Sequence, residues 1–155
     1  MLLTNHLWKK NSSATRWVFL HGMGGTGALW RPIAAGLEES AEVLAPDQRG
    51  HGGSRVLTHS GGREVVTYTP LDYGRDVVET LESLKFFPAI LVGHSMGVRT
   101  ACAVAHLRPD LVRGLVLVDL GFSGVAGGGL GEGLASFLRK LPTDFPDRDA
   151  AREFM

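Results

Sequence analysis

The stretch Ile90–Thr100, ILVGHSMGVRT, decides how the rest of the chain is read. An apolar run, Ile90 to Val92, leads at once into Gly93-His94-Ser95-Met96-Gly97, so a hydroxyl stands between two glycines where a buried strand ends. The G-x-S-x-G pattern over Gly93, Ser95 and Gly97 is short, and in a chain with 21 glycines the match alone carries little. Its context carries more, because it follows a buried strand and opens a helical segment. A serine at so sharp a turn is held in a strained backbone conformation with its hydroxyl projecting clear. Residues two before and two after it have to be small, or they collide across the turn. The helix that follows points its first amides at the same place, so the Met96 N–H is placed to bind a developing oxyanion.

On either side of this turn the chain alternates between apolar runs and helix-like segments. RWVFLH (16–21), EVLAP (42–46), AILVGH (89–94) and GLVLVD (114–119) read as strands buried on both faces, without strict alternation. ALWRPIAAGLEES follows the first of them and TPLDYGRDVVETLESLKFF precedes the third. In the latter, Thr69 suits the cap, Pro70 the first helical position and Asp72 the positive helix start. GVRTACAVAHLR follows the third run and stops at Pro109. Strand, helix, strand in this order predicts right-handed crossovers and a mostly parallel sheet with flanking helices, an α/β fold. Leu2–Lys9 reads as an edge strand. Residues 55–68, with Gly61-Gly62, read as a surface loop, and 121–133, GFSGVAGGGLGEG, as a hinge or linker. Residues 134–142 then read as a short helix and 143–155 as the opening of another.

The totals narrow the function classes. The chain has 155 residues, about one domain, with 44% hydrophobic and 21% charged residues, a globular balance. Lys plus Arg equals Asp plus Glu at 16 each, and no basic cluster interleaves with aromatics, which argues against nucleic acid. No apolar stretch approaches the roughly 20 residues of a membrane span. The first ten residues lack the apolar centre of a signal peptide. Cys102 stands alone, which excludes an internal disulfide and a cysteine-rich zinc site. The expected compartment is the cytoplasm.

A second glycine motif competes with the first. Gly22, Gly24 and Gly27 in HGMGGTG fit G-x-G-x-x-G, and Asp47 follows about 20 residues later at the end of the next strand, as in an NAD-binding oxidoreductase. In that fold the helix begins within the glycines. Pro32 would then fall in the helix interior against the Ala28 carbonyl, at a cost of about 3 kcal/mol. If the glycines form an extended loop instead, the helix starts near Leu29 or Trp30 and Pro32 lies in its first turn, where no amide is missed. In that case the loop offers a second oxyanion donor, the Met23 amide, to Ser95. The segment from Asp47 through Gln48, Arg49, Gly50 and His51 to Gly52 and Gly53 reads as a turn whose glycines take special backbone angles. Trp30 reads as an anchor of its helix to the core, and Cys102 as buried and inert.

Taken in order, FLHGMGG, APDQRGHGGS, YTPLDYGRDV, LVGHSMG and LVRGLVLVD resemble the α/β-hydrolase family from residue 17 to 120. The resemblance implies a GxSxG serine hydrolase acting on an ester, thioester or related acyl substrate. Ser95 would be the nucleophile, the Met23 and Met96 amides would form the oxyanion hole, and no cofactor or metal would be needed. It implies that the first and third strands read above lie side by side, so that the glycine loop and Ser95 share one sheet edge. Residues 1–120 would be the N-terminal part of the core, truncated after the family's sixth strand, and 121–155 a linker and the start of a helical cap.

The family's triad runs Ser, then Asp or Glu, then His. After Ser95 the single histidine is His106, about three turns along a helix running away from the site. His6, His21, His51, His59 and His94 do not match the family's base, and the acid is absent unless Asp119, at the end of the last strand, serves. The chain is therefore expected to be a fragment without its triad acid and base, leaving an exposed strand edge at 114–119 that a missing C-terminal segment or a second copy would cover. The partner expected is a small acyl substrate, with neither nucleic acid nor membrane. Two other readings stand beside this one: a non-catalytic ligand-binding or receptor protein on the same fold, and the NAD-binding oxidoreductase.

Overall fold

The computed structural model describes residues 1–10, 15–54 and 67–119, together with residues 136, 140, 146, 147, 149 and 150. The chain falls into two compact units, Met1–Gly121 and Phe122–Met155. Every strand and helix discussed below belongs to the first. Most of the loop expected at 55–68, the linker at 121–133, and most of the helices expected from 134 onward lie outside the described residues.

Five strands form one sheet among the described residues: β1 (Asn5–Trp8), β2 (Arg16–Leu20), β3 (Glu42–Pro46), β4 (Ala89–His94) and β5 (Val112–Val118). Their order is β1-β3-β2-β4-β5. All neighbouring pairs are parallel except β1 with β3, where Asn5 lies opposite Pro46 and Trp8 opposite Val43. The expected edge strand at the N-terminus is present, and β2 lies beside β4 as the resemblance implies. Several strand boundaries differ from the sequence reading, β1 being shorter than Leu2–Lys9 at both ends. β5 begins at Val112, so Gly114 is inside the strand and not at its start. His21 and Asp119 fall just beyond β2 and β5, where each chain leaves the sheet.

Alternation along each strand divides the core into two layers. Val18, Leu20, Leu44 and Leu91 face one side and pack with Val77, Leu81, Ala101 and Val104 of two helices, α2 (Pro70–Leu84) and α3 (Met96–Leu107). Phe19, Val43, Ala45 and Val92 face the other, against Ala34 of α1 (Arg31–Leu37), with Trp8, Trp17 and Trp30 around them. Each fully buried leucine or valine contributes about 1.5–3 kcal/mol relative to its exposed state. This two-sided burial is why the runs of β2, β3 and β4 read as continuously apolar; β5, expected to be buried in the same way, has no fully buried residue, and Val116 and Val118 on it are exposed.

The helix signals have identifiable partners. Thr69 caps α2: its hydroxyl accepts from the Asp72 amide at 3.2 Å, and the Asp72 carboxylate accepts from the Thr69 amide at 3.0 Å. This reciprocal capping satisfies two otherwise orphaned donors. α2 stops at Leu84, three residues short of the expected Phe87, because Lys85 turns left-handed with φ 52°. A 3₁₀ turn over Gly27–Trp30 precedes α1, and Pro32 lies in the first turn of that helix, as an extended glycine loop requires. Trp30 packs on Phe19 with ring centroids 4.9 Å apart. Cys102 is half-buried on α3, and burial raises its thiol pKa. No helix among the described residues is long and apolar enough to cross a membrane.

Candidate active site

Ser95 joins β4 to α3 with φ 51° and ψ −113°. A non-glycine residue at positive φ costs of order 1–3 kcal/mol, so its surroundings must over-determine it. Three features do. The Ser95 amide donates to the Val118 carbonyl at 3.1 Å, and the Ser95 carbonyl accepts from Val98 at 3.0 Å. A Cβ at Gly93 would collide with the Gly97 carbonyl and stand 2.7 Å from the Val98 nitrogen. A Cβ at Gly97 would overlap the Leu20 carbonyl of β2. Gly93 is small for the expected reason, collision across the turn. Gly97 is small for another: the helix leaves the turn pressed against a neighbouring strand.

The glycine loop after β2 reaches the same place. A Cβ on Gly22 would stand 3.3 Å from the Ser95 Cβ and 3.0 Å from His94 Nδ1. Met23, the next residue, is exposed. Met96 is the first residue of α3, where a helix leaves its amide without an intrahelical acceptor. Of the two residues expected to donate to an oxyanion, Met96 directly follows Ser95, and Met23 directly follows Gly22, which lies against Ser95.

Buried polar groups hold this loop. The Gln48 amide donates to His21 Nε2 at 3.0 Å, so the other ring nitrogen, Nδ1, carries the proton and donates to the Gly22 carbonyl at 2.8 Å. Burial holds the His21 imidazole below the usual histidine range, in keeping with this neutral tautomer. At the far end of the loop the Asp47 carboxylate accepts from the Gly27 amide and, across the next turn, from the Gly53 amide, each at 2.8 Å. His6 Nε2 lies 3.2 Å from the same carboxylate. Both oxygens of the acid that a dinucleotide site would turn to the ribose are engaged here in holding loops together. Gly50 and Gly52 have positive φ, 78° and 51°, but Gly53 does not; its contribution is an N–H donor. Sequence reading missed this role of Asp47. The signal was present in the D-Q-R-G segment, which was legible as a turn but not as the anchor of a different loop.

Burial would raise the Asp47 pKa, but the Gly53 and Gly27 amides and His6 outweigh it and hold the carboxyl below its usual range. A carboxyl depressed in the folded state stabilises above its unfolded pKa, near 3.9, and that stabilisation is lost as pH falls through the folded value. Asp47→Asn turns an NH₂ toward one of the amide donors. The variant is expected to lose about 2 kcal/mol at pH 7 in chemical unfolding. The gap between the two proteins should begin to narrow below about pH 4 and close as pH falls through the depressed folded value; a gap with no pH dependence across this acid range would refute the charge-dependent role.

The remaining histidines are dispersed. His94 is exposed, with its ring against Gly22 and Nε2 4.0 Å from Asp119 Oδ2. Asp119 is left-handed at φ 77° and follows the carbonyl that accepts the Ser95 amide. His106 is exposed near the end of α3. His51 packs edge-on to His21, ring centroids 5.0 Å apart, and His6 stacks on Trp8. His59 lies outside the described residues. Among the described residues no imidazole is hydrogen-bonded to the Ser95 hydroxyl, and no group of three or more metal-ligating side chains converges.

A family model described as alpha/beta hydrolase fold matches residues 18–152. Two curated relatives align over most of the chain. A 2-(acetamidomethylene)succinate hydrolase of Mesorhizobium japonicum is 33% identical over 111 residues, 72% of this chain and 37% of its own length. An esterase of Mycobacterium tuberculosis is 40% identical over 108 residues, 70% of this chain and 34% of its own. The chain thus spans about a third of the length of these relatives. Among solved structures, a marine microorganism esterase superposes with a TM-score of 0.78 at 20% identity, covering 99% of this chain and 59% of that one.

Proposed function

The chain belongs to the alpha/beta hydrolase family, and from that premise we propose that Ser95 is the nucleophile of a serine hydrolase acting on an ester, thioester or related acyl substrate. The observation that carries the reading is the strained Ser95 turn set against Gly22 of the neighbouring loop. In this reaction the Ser95 oxygen adds to the acyl carbon while its proton passes to a general base. The carbonyl oxygen gains charge and is held by the Met23 and Met96 amides, a contribution worth about 3–4 kcal/mol per donor in such sites. The leaving group departs with the proton, and water then releases the acid from Ser95. We assign the base and its acid to residues outside those described. The cytoplasm is the proposed compartment. A further strand of a longer chain is the proposed occupant of the outer edge of β5, where Val116 and Val118 are exposed.

The lack of an imidazole bonded to Ser95 among the described residues is the one observation favouring a non-catalytic binding protein on this scaffold. A fluorophosphonate probe separates the two readings. A protein of the relatives' full length carrying this chain is expected to be labelled at Ser95, and its Ser95→Ala variant not at all. Ligand binding without labelling would favour the receptor. The 155-residue chain alone is expected to hydrolyse nitrophenyl acetate no faster than its own Ser95→Ala variant, because a neutral hydroxyl without a base is a weak nucleophile. Clear Ser95-dependent turnover by the short chain would place a base within it.

A further inference from the structure

Gln48 is fully buried, and nothing in the reaction above uses its side chain. It lies just beyond β3, between two elements that both reach Ser95. Its Nε2 donates to the His21 carbonyl at 2.6 Å, and its Oε1 accepts from the Thr100 hydroxyl at 2.7 Å. The orientation of this amide is determined, because a carbonyl can only accept and so requires Nε2 on the His21 side. Thr100 is buried on α3 one turn beyond Met96. A helical threonine commonly returns its hydroxyl to a carbonyl of its own helix; this one reaches out to another element. The Gln48 backbone amide also holds the His21 ring, which in turn holds the Gly22 carbonyl. Among the described residues this is the one hydrogen-bonded side-chain path from the glycine loop to α3.

We propose that Gln48 is a positioning residue that couples the loop bearing Met23 to the helix bearing Met96, fixing the two oxyanion amides relative to each other. The proposal rests on the reading of those two amides as one oxyanion hole. Its physical content is separate: Met23 and Met96 lie beyond the paired ends of β2 and β4, where the strand ladder, which ends at Leu20 and Gly93, no longer fixes the loop against the helix. A buried amide that donates to one element and accepts from the other resists their relative sliding directionally, which apolar contact does not.

The test cuts the bridge at its far end. Thr100→Val keeps the shape of the side chain and removes the hydroxyl, without touching the glycine loop. In the 155-residue chain it is expected to shift the backbone resonances of residues 21–25 and to speed their amide exchange roughly five- to tenfold, the consequence of losing one buried hydrogen bond. Exchange in β3 and β5 should not change. Gln48→Met should do the same, the double variant should add little to it, and Thr100→Ser should recover the coupling that Thr100→Val loses. Changes confined to α3, or acceleration spread uniformly over the sheet, would overturn the proposal, the second outcome marking Gln48 as merely a stability element. Fluorophosphonate labelling of the longer protein distinguishes the two levels. Coupling present with Ser95 unlabelled would mean the hydrolase reading fails while the bridge stands; labelling intact with no coupling would remove the role of Gln48 alone.

Discussion

Asp76→Ala is expected to destabilise the protein by about 3–5 kcal/mol, the cost of leaving a desolvated charge unpaired. Asp76 of α2 is buried, and both its oxygens receive the Arg49 guanidinium, Nε on Oδ2 at 2.6 Å and Nη2 on Oδ1 at 2.8 Å. The third link of Arg49 is to the Thr67 carbonyl at 3.0 Å. Arg49 lies in the turn that also carries Asp47 and Gln48, so this pair ties the loop-holding turn to α2. Removing the carboxylate leaves the guanidinium largely out of water with one neutral acceptor. Replacing both partners by apolar residues of similar volume, Asp76→Leu with Arg49→Met, should recover most of the loss, since the penalty of a broken buried pair exceeds the net value of the intact one. Urea unfolding of the parent, Asp76→Leu, Arg49→Met and the double variant in a double-mutant cycle measures this. If the single and double variants were equally destabilised, the pair would be ordinary packing and the argument would fail.

Gly97→Ala carries the other large effect, a loss of about 3 kcal/mol, near the upper end of overpacking costs. The added carbon meets the carbonyl of Leu20. Leu20 belongs to β2, which is paired with β3 on one side and β4 on the other, so the obstructing backbone has nowhere to retreat. The relief available is to lift α3 from the sheet, which moves Ser95 and Met96 with it. For a domain of this size the melting temperature should fall by roughly 10 °C. Gly36→Ala supplies the opposite sign: its added carbon meets nothing within 4 Å inside α1. There the better helix former should stabilise by about 0.5–1 kcal/mol. A Gly97→Ala protein melting within about 2 °C of the parent would mean that α3 does not press on β2 as described.

The four apolar runs, the helices between them and the parallel order were legible in the sequence because each depends on local pattern. A strand buried on both faces must be apolar throughout, a helix start must satisfy its own amides, and Pro32 and Thr69 report their positions through backbone chemistry alone. Ser95 was legible for the same reason, since a strained turn demands small residues at fixed spacing. The sequence by itself thus determined the fold class and the location of the candidate nucleophile. The anchoring of the site was decided by tertiary structure. Asp47 holding Gly27, Gln48 joining His21 to Thr100, and Gly97 lying on Leu20 each link residues from 20 to 77 positions apart. No periodicity encodes such a link. It exists because parallel strands from separate parts of the chain end at one sheet edge, and the polar groups they bring there are withdrawn from water and have to satisfy one another.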